Sequence, residues 1–289
     1  MTIRVKLNEE SDIFSILSDF FPIWEKEDID FLNVQLDYTF GNHIDGEIFT
    51  LILSIVNELR ALGNPVDIEI VGIKDCLPMP YTENIGFFKR LENELSPITQ
   101  LDYPNLNFIE ITHLAPEVYN LNDAFLDIFD RHFDLSPENL NSLVFVFDEL
   151  ICNTTRHCQS KNGGYYFCQK NKNRNTVEVI IVDSGIGIQK SLNRAFPHYN
   201  ELTCLEECIK FGVTCGDGRG HGLYFISELL KRNKGEFICV SGFSNLSINN
   251  GEQKAGKNAY YKGTIVKCVF NMNNILPIEE LLDEQNYSK

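Results

Sequence analysis

The chain has 289 residues, 43% hydrophobic and 11% aromatic, which is material for a packed core and excludes a disordered chain. Its formal net charge of −16 argues against nucleic acid as a partner, because phosphate binding needs a basic surface. No apolar run reaches the roughly 18 residues of a membrane helix, and the start, MTIRVKLNEESD, lacks a signal-peptide stretch; a soluble cytoplasmic protein is expected.

LNVQLDY, residues 32–38, alternates as a strand does. GEIFTLILSIVNELRAL, residues 46–62, spaces Ile48, Leu51, Ile52, Ile55 and Leu59 as an amphipathic helix, and Gly63-Asn64-Pro65 stops it. VDIEIVGI, residues 66–73, predicts a second strand, so this stretch reads as a βαβ unit. A helix is expected over IGFFKRLENEL, residues 85–95, and then a linker bracketed by Pro97 and Pro104. Residues 1–100 carry 7 Lys/Arg against 18 Asp/Glu and the rest 18 against 23, a contrast that suggests two domains.

The second part opens with a strand at 107–114 and a helix at 120–133. Ser136 and Pro137 form a helix start, as N-cap and first helical residue. GGYYFCQKNKNRNTVEVIIVDSG predicts two strands around a polar turn, and 188–215 a long irregular connection with some helical spacing. GLYFISELLKRNKG reads as an amphipathic helix. GEFICVSG and KGTIVKCVF read as strands, separated by a polar loop, SNLSINNGEQKAGKNAYYK. The acidic tail, 279–289, is expected to fray. The nine cysteines, odd in number and irregular in spacing, read as free thiols of a reducing compartment; Cys204, Cys208, Cys215 and His221 fit no zinc-finger spacing.

Three stretches carry chemistry. In FDELICNTTRHC, residues 147–158, Glu149, Asn153 and His157 share one helix face, since positions four apart drift only ~40°. An amide oxygen suits Mg²⁺ completed by water and phosphate oxygens, and a carboxylate one turn away can take a proton from a hydroxyl or water. The same row is also what the polar face of an amphipathic helix looks like. In VEVIIVDSGIGI, residues 177–188, a strand delivers Asp183, able to accept from an exocyclic amine, while Gly185 and Gly187 let a flat ring approach the backbone; an ordinary Asp-Ser-Gly turn has the same letters. In GDGRGHGLYFISELL, residues 216–230, four alternating glycines open a helix, a cradle for polyphosphate or a flexible loop; it is not a Walker loop, since no Gly-Lys-Ser/Thr follows, and not G-x-G-x-x-G, because position 221 is His.

The order of these boxes, followed by Gly263-Thr264 at a late strand, resembles the GHKL ATPases, the superfamily of DNA gyrase, heat-shock chaperones, histidine kinases and MutL. The resemblance spans residues 107–271 and implies a Bergerat-type α/β sandwich over 101–289 that binds ATP and Mg²⁺. It implies Glu149 as the catalytic base, Asn153 as the Mg²⁺ ligand, Asp183 as the reader of the adenine amine with Gly185 and Gly187 beside it, and Thr264 as support for the adenine site. Gly218, Arg219, Gly220, His221 and Gly222 match the end of the phosphate-covering lid. ELICNTTRH is similar to the anti-sigma-factor serine kinases, in which a His follows the asparagine as His157 does here.

Residues 1–100 resemble a degenerate STAS domain, an α/β regulatory unit. Where that family has a phosphorylated serine this chain has HIDGEIF, with Gly46 and Glu47, so that Glu47 would act as a fixed negative charge. Together the resemblances imply a cytoplasmic, ATP-dependent regulator that phosphorylates serine or threonine on a protein partner, such as a STAS-like antagonist or a sigma-type regulator. They also allow a homodimer. An ATPase that drives conformational change, or a nucleotide-gated binding protein without turnover, fits the same boxes.

Overall fold

The computed structural model describes residues 1–26, 29–40, 44–72, 79–92, 108–114, 135–157, 159, 160, 162–215 and 221–287, with backbone alone at Phe40, Met79, His157 and 283–287. The expected helix at 120–133 and the linker around Pro97 and Pro104 lie outside these residues. The protein is mixed α/β, with a three-stranded parallel sheet and a five-stranded antiparallel one.

The parallel sheet is built by strand β1 (Thr2–Asn8), helix α1 (Ile13–Trp24), β2 (Leu32–Phe40), α2 (Gly46–Ala61) and β3 (Val66–Val71), in strand order β1-β2-β3. β1 and α1 precede the first element expected from the sequence, and both have sequence signals. Ile3, Val5 and Leu7 alternate and are buried, while Thr2, Arg4 and Lys6 between them are exposed. Asp12 caps α1 by accepting from the Ser15 amide at 2.8 Å, and the Ser15 hydroxyl accepts from the Asp12 amide at 2.9 Å. After β3 come two short helices, α3 (Met79–Asn84) and α4 (Phe87–Leu91); α4 falls within the helix expected at 85–95, of which residues 93–95 lie outside the described residues. Gly86 between α3 and α4 is left-handed, with φ +78°, and breaks the helical path.

The antiparallel sheet has the order β4-β5-β6-β8-β7. Its strands are β4 (Phe108–Leu114), β5 (Gly164–Asn171), β6 (Thr176–Asp183), β7 (Glu236–Asn249) and β8 (Glu252–Asn271). The polar loop expected at 244–262 is a continuation of β7 and β8 as one long ribbon. Asn250 and Gly251, with φ of 50° and 85°, form its two-residue turn, so the Asn-Gly pair outweighs the polar composition. The helices of this half are α5 (Pro137–His157), α6 (Gly187–Leu192), α7 (Glu201–Cys208), α8 (Gly222–Asn233) and α9 (Ile278–Tyr287). The tail expected to fray therefore folds as α9, because Ile278 and Leu281 are buried against the core and the Ile278 amide donates to Ser142 Oγ at 3.0 Å.

Both faces of the antiparallel sheet are covered. Tyr165, Phe167, Ile180, Val182, Val240 and Ile265 belong to one cluster with α1 and α2. Tyr166, Cys168, Val179, Ile181, Cys239 and Val266, alternating with them, join the cluster under α5, α7 and α8. Helix α2 thus lies between the two sheets, and every residue from Gly46 to Val56 is buried. The sequence shows one apolar stripe; Phe49, Leu53 and Val56 supply the second, and a helix apolar on both sides belongs in an interior.

That placement changes the reading of HIDGEIF. A Cβ on Gly46 would overlap the Phe167 ring, so no serine side chain fits there. Glu47 is 5% exposed and pairs with Lys267 of β8 at 2.6 Å, and Lys267 also meets Glu178 of β6 at 3.1 Å. Burial first, and Glu178 beside it second, hold the Glu47 carboxyl well above its ordinary range. Glu47 is therefore a buried member of an internal charge cluster, and not an exposed negative charge offered to a partner.

Among the described residues no helix is long and apolar enough to cross a membrane. Seven cysteines are described, and none of them is in a disulfide.

Candidate functional site

Helix α5 starts where Ser136-Pro137 predicts, with Ser136 Oγ accepting from the Asn139 amide at 3.3 Å. Leu143, Val146, Phe147, Leu150 and Ile151 bury one side of it against the sheet. The neighbouring stripe, Glu149 and Asn153, faces a cavity of about 440 Å³, the size of a small-molecule site. The row contains a further member: Arg156, three residues beyond Asn153, also lines the cavity. Helical spacing of three, as well as four, would have included it. For His157 only the backbone is described.

The cavity floor is the antiparallel sheet, through Ile181, Asp183, Thr264 and Val266. Its walls are α5, the start of α6 at Gly187 and Ile188, residues 213–215, and the start of α8 at His221 and Gly222. Seven of the expected site residues meet here: Glu149, Asn153, Asp183, Gly187, His221, Gly222 and Thr264. Gly185 stands just behind, donating its amide to Asp183 Oδ1 at 2.8 Å. Gly218, Arg219 and Gly220 lie outside the described residues.

Asp183 ends β6 directly opposite Thr264 of β8 and is 5% exposed. Burial pushes its carboxyl up to about 7, while hydrogen bonds from the Gly185 amide and from the Thr264 amide and hydroxyl pull the other way. A carboxylate so enclosed favours a ligand that brings an N–H donor, because such a donor stabilises the charged form.

The strand ends are packed backbone to backbone around this aspartate. A Cβ on Gly263 would overlap the Asp183 carbonyl, so β8 reaches this position only as glycine. Gly187 has φ +75°, and Ser241 Oγ lies where its side chain would point. Ser241 accepts from the Ile188 amide at 2.9 Å and donates to the Gly263 carbonyl at 2.9 Å, tying the start of α6 to β8. Ser241 lies within an apolar strand sequence that carries no sign of this role. Gly263→Ala is expected to lower stability by about 1–3 kcal/mol, measured by thermal unfolding of the full chain; unchanged stability would contradict the packing.

Glu149 also lines the cavity, against the first residue of α8, where a Cβ on Gly222 would overlap its carboxylate. Its carboxyl is held above the ordinary range by burial first and by Asp148 second, with Arg156 opposing. The cavity lining therefore combines a carboxylate on α5, a neutral amide and a cation with the enclosed carboxylate of Asp183. His221 stacks on Phe211 with ring centroids 4.1 Å apart and planes 13° from parallel, closing the wall beside Gly222.

Cys208, Cys215 and His221 line the cavity too, but among the described residues no three His, Cys, Asp or Glu side chains form a group that could hold a metal ion. Asn153 alone is a weak ligand, and a hard cation there requires oxygens brought by a ligand, as Mg²⁺ takes from phosphates. No protein-family model matches this chain, and no curated protein matches it.

Proposed function

We propose that this chain binds Mg²⁺–ATP in the cavity between α5 and the antiparallel sheet, and transfers the γ-phosphoryl group to a serine or threonine of a protein partner. The observation that carries the reading is the convergence, from four separate stretches of sequence, of Glu149, Asn153, Asp183, His221, Gly222 and Thr264 on one cavity. Their order along the chain is that of the GHKL ATPases, and the α/β layers are compatible with that fold.

In this reading the adenine lies at the inner end, its exocyclic amine donating to Asp183. Ile181, Val266 and Leu192 supply the apolar walls a ring needs. The triphosphate runs toward Asn153, Arg156 and the α8 N-terminus, where a cation, an amide oxygen and helix amides favour negative charge. Bound Mg²⁺, held by Asn153 and the phosphates, would neutralise charge on the transferring group. Glu149 takes the proton of the attacking hydroxyl; the new O–P bond forms at the γ-phosphorus as the bond to the β-phosphate oxygen breaks and ADP departs. The α/β unit of residues 1–100, STAS-like in its element order, serves as the regulatory part of a cytoplasmic partner switch.

Calorimetric titration tests the pocket. ATP binding to the full chain is expected to tighten about tenfold or more when Mg²⁺ is added, and Asn153→Ala to lose that dependence. ATP binding that is undetectable, or indifferent to Mg²⁺ in the unaltered protein, would overturn the reading.

A further inference from the structure

Helix α2 carries a polar row, Glu47, Thr50, Ser54, Asn57 and Glu58, in an otherwise apolar interior. Ser54, Asn57 and Glu58 reach chain segments that frame the cavity from behind. Asn57 Nδ2 donates to the Tyr165 hydroxyl at 2.6 Å. Glu58 accepts from Asn162 Nδ2 at 3.0 Å, in the segment following α5, and pairs with Lys262, two residues before Thr264. Ser54 bears on the aspartate turn itself. Its hydroxyl is 3.1 Å from Ser184 Oγ and 3.1 Å from the Tyr261 hydroxyl. Tyr261, 1% exposed, donates to the Asp183 carbonyl at 2.9 Å.

The proton count orders this chain. Tyr261 has one O–H and gives it to Asp183, so it accepts from Ser54; Ser54 has then given its own proton and accepts from Ser184. Each hydroxyl donates once, and the Asp183-Ser184 peptide is held at both residues. All of these groups are buried, so a lost partner cannot be replaced by bulk water.

The carbonyl of Asp183 is gripped from the α2 side of the sheet, while the carboxylate points into the cavity on the other. A carboxylate reads a ring substituent only if the backbone beneath it does not rotate. The phosphate end has no such dependence, since Asn153 and Arg156 ride on α5. We propose that Ser54 and Tyr261 are positioning residues for base recognition, so that helix α2 of the N-terminal half sets how strictly the cavity selects a 6-amino purine over a 6-oxo purine. This rests on the ATP reading above.

The test compares Mg²⁺–ATP with Mg²⁺–inosine triphosphate, which differs at the base edge by an oxo group in place of the amine. Affinities of both are measured by calorimetry on the full chain and on Asp183→Asn, Tyr261→Phe, Ser54→Ala and Ser54→Thr. The unaltered protein is expected to prefer ATP by about a hundredfold, because an oxo group facing a carboxylate leaves two acceptors opposed. Tyr261→Phe and Ser54→Ala are expected to cut that preference about tenfold, by weakening ATP and leaving inosine triphosphate unchanged. Ser54→Thr, which keeps the hydroxyl, restores it. Were Tyr261→Phe not to fold, the Ser54 pair alone decides. Loss of preference in Asp183→Asn with full preference in Ser54→Ala overturns the proposal and leaves the ATP reading standing. Equal weakening of both nucleotides also overturns it, as plain loosening of the fold. No preference in the unaltered protein, or full preference in Asp183→Asn, removes the base-reading role of Asp183 and the proposal with it.

Discussion

Asp183→Asn is expected to make the empty protein more stable and the nucleotide complex weaker. Asp183 Oδ1 accepts from the Gly185 amide at 2.8 Å, and Thr264 donates to the same carboxylate. An asparagine here must turn its single amide oxygen to those donors. Its NH₂ then faces the adenine amine, donor against donor, and ATP affinity falls on the order of 10- to 100-fold. Stability moves the other way. The carboxyl rises from 3.8 unfolded to about 7 folded, because it is enclosed. Between those values the folded state holds a proton that the unfolded chain has lost, so the stability of the native protein declines as pH climbs from about 4 to 7. Asparagine cannot ionise and escapes the decline. Its advantage in thermal unfolding should be absent near pH 4, grow to a few kcal/mol at pH 7, and stay level above. For the native protein, ATP affinity should fall as pH drops below about 7, since binding then has to displace a proton. An Asp183→Asn protein with undiminished ATP affinity, or with no gain in stability at pH 8, would contradict the enclosed-carboxylate account.

Glu149→Gln should leave ATP binding within about twofold and lower phosphoryl transfer by 10²–10⁴, the range for loss of a general base. The substitution keeps the shape of the side chain against Gly222, where space is smallest. The assay follows the label from γ-labelled Mg²⁺–ATP incubated with the protein and host lysate. Label on a discrete protein, absent with Glu149→Gln, supports the kinase reading and identifies the acceptor. Label released only as free phosphate would move the reading to ATP hydrolysis, with water in place of the hydroxyl. Turnover undiminished in the variant would remove Glu149 as the base.

Much of the second half was legible as local pattern. The Ser136-Pro137 start, the Glu149/Asn153 stripe and the delivery of Asp183 at a strand end all follow from spacing that depends on near neighbours. Arg156 belongs to the same stripe at a spacing of three, which a spacing of four does not include. The outer part of the β7–β8 ribbon looks like a loop in sequence because its residues are polar, although Asn250-Gly251 marks a hairpin. β1 and α1 have clear signals in Ile3, Val5, Leu7 and the Asp12-Ser15 capping pair.

By itself, then, the sequence determined most of the segments that become helices and strands, and the polar stripe of α5 that faces the cavity, because 3.6- and 2-residue periodicities and caps are local properties. Only the tertiary structure decided that Glu47 is an internal ion-pair member, that Ser241 ties α6 to β8, and that Ser54 reaches the Asp183 turn through Tyr261. These are contacts between residues 22 to 220 positions apart, and no periodicity within a segment encodes its neighbour across a sheet. Asp183 shows the difference most plainly: its place at a strand end could be read from the chain, whereas its burial, and the carboxyl pushed up to about 7, exist only once β8, α5 and α8 have closed around it.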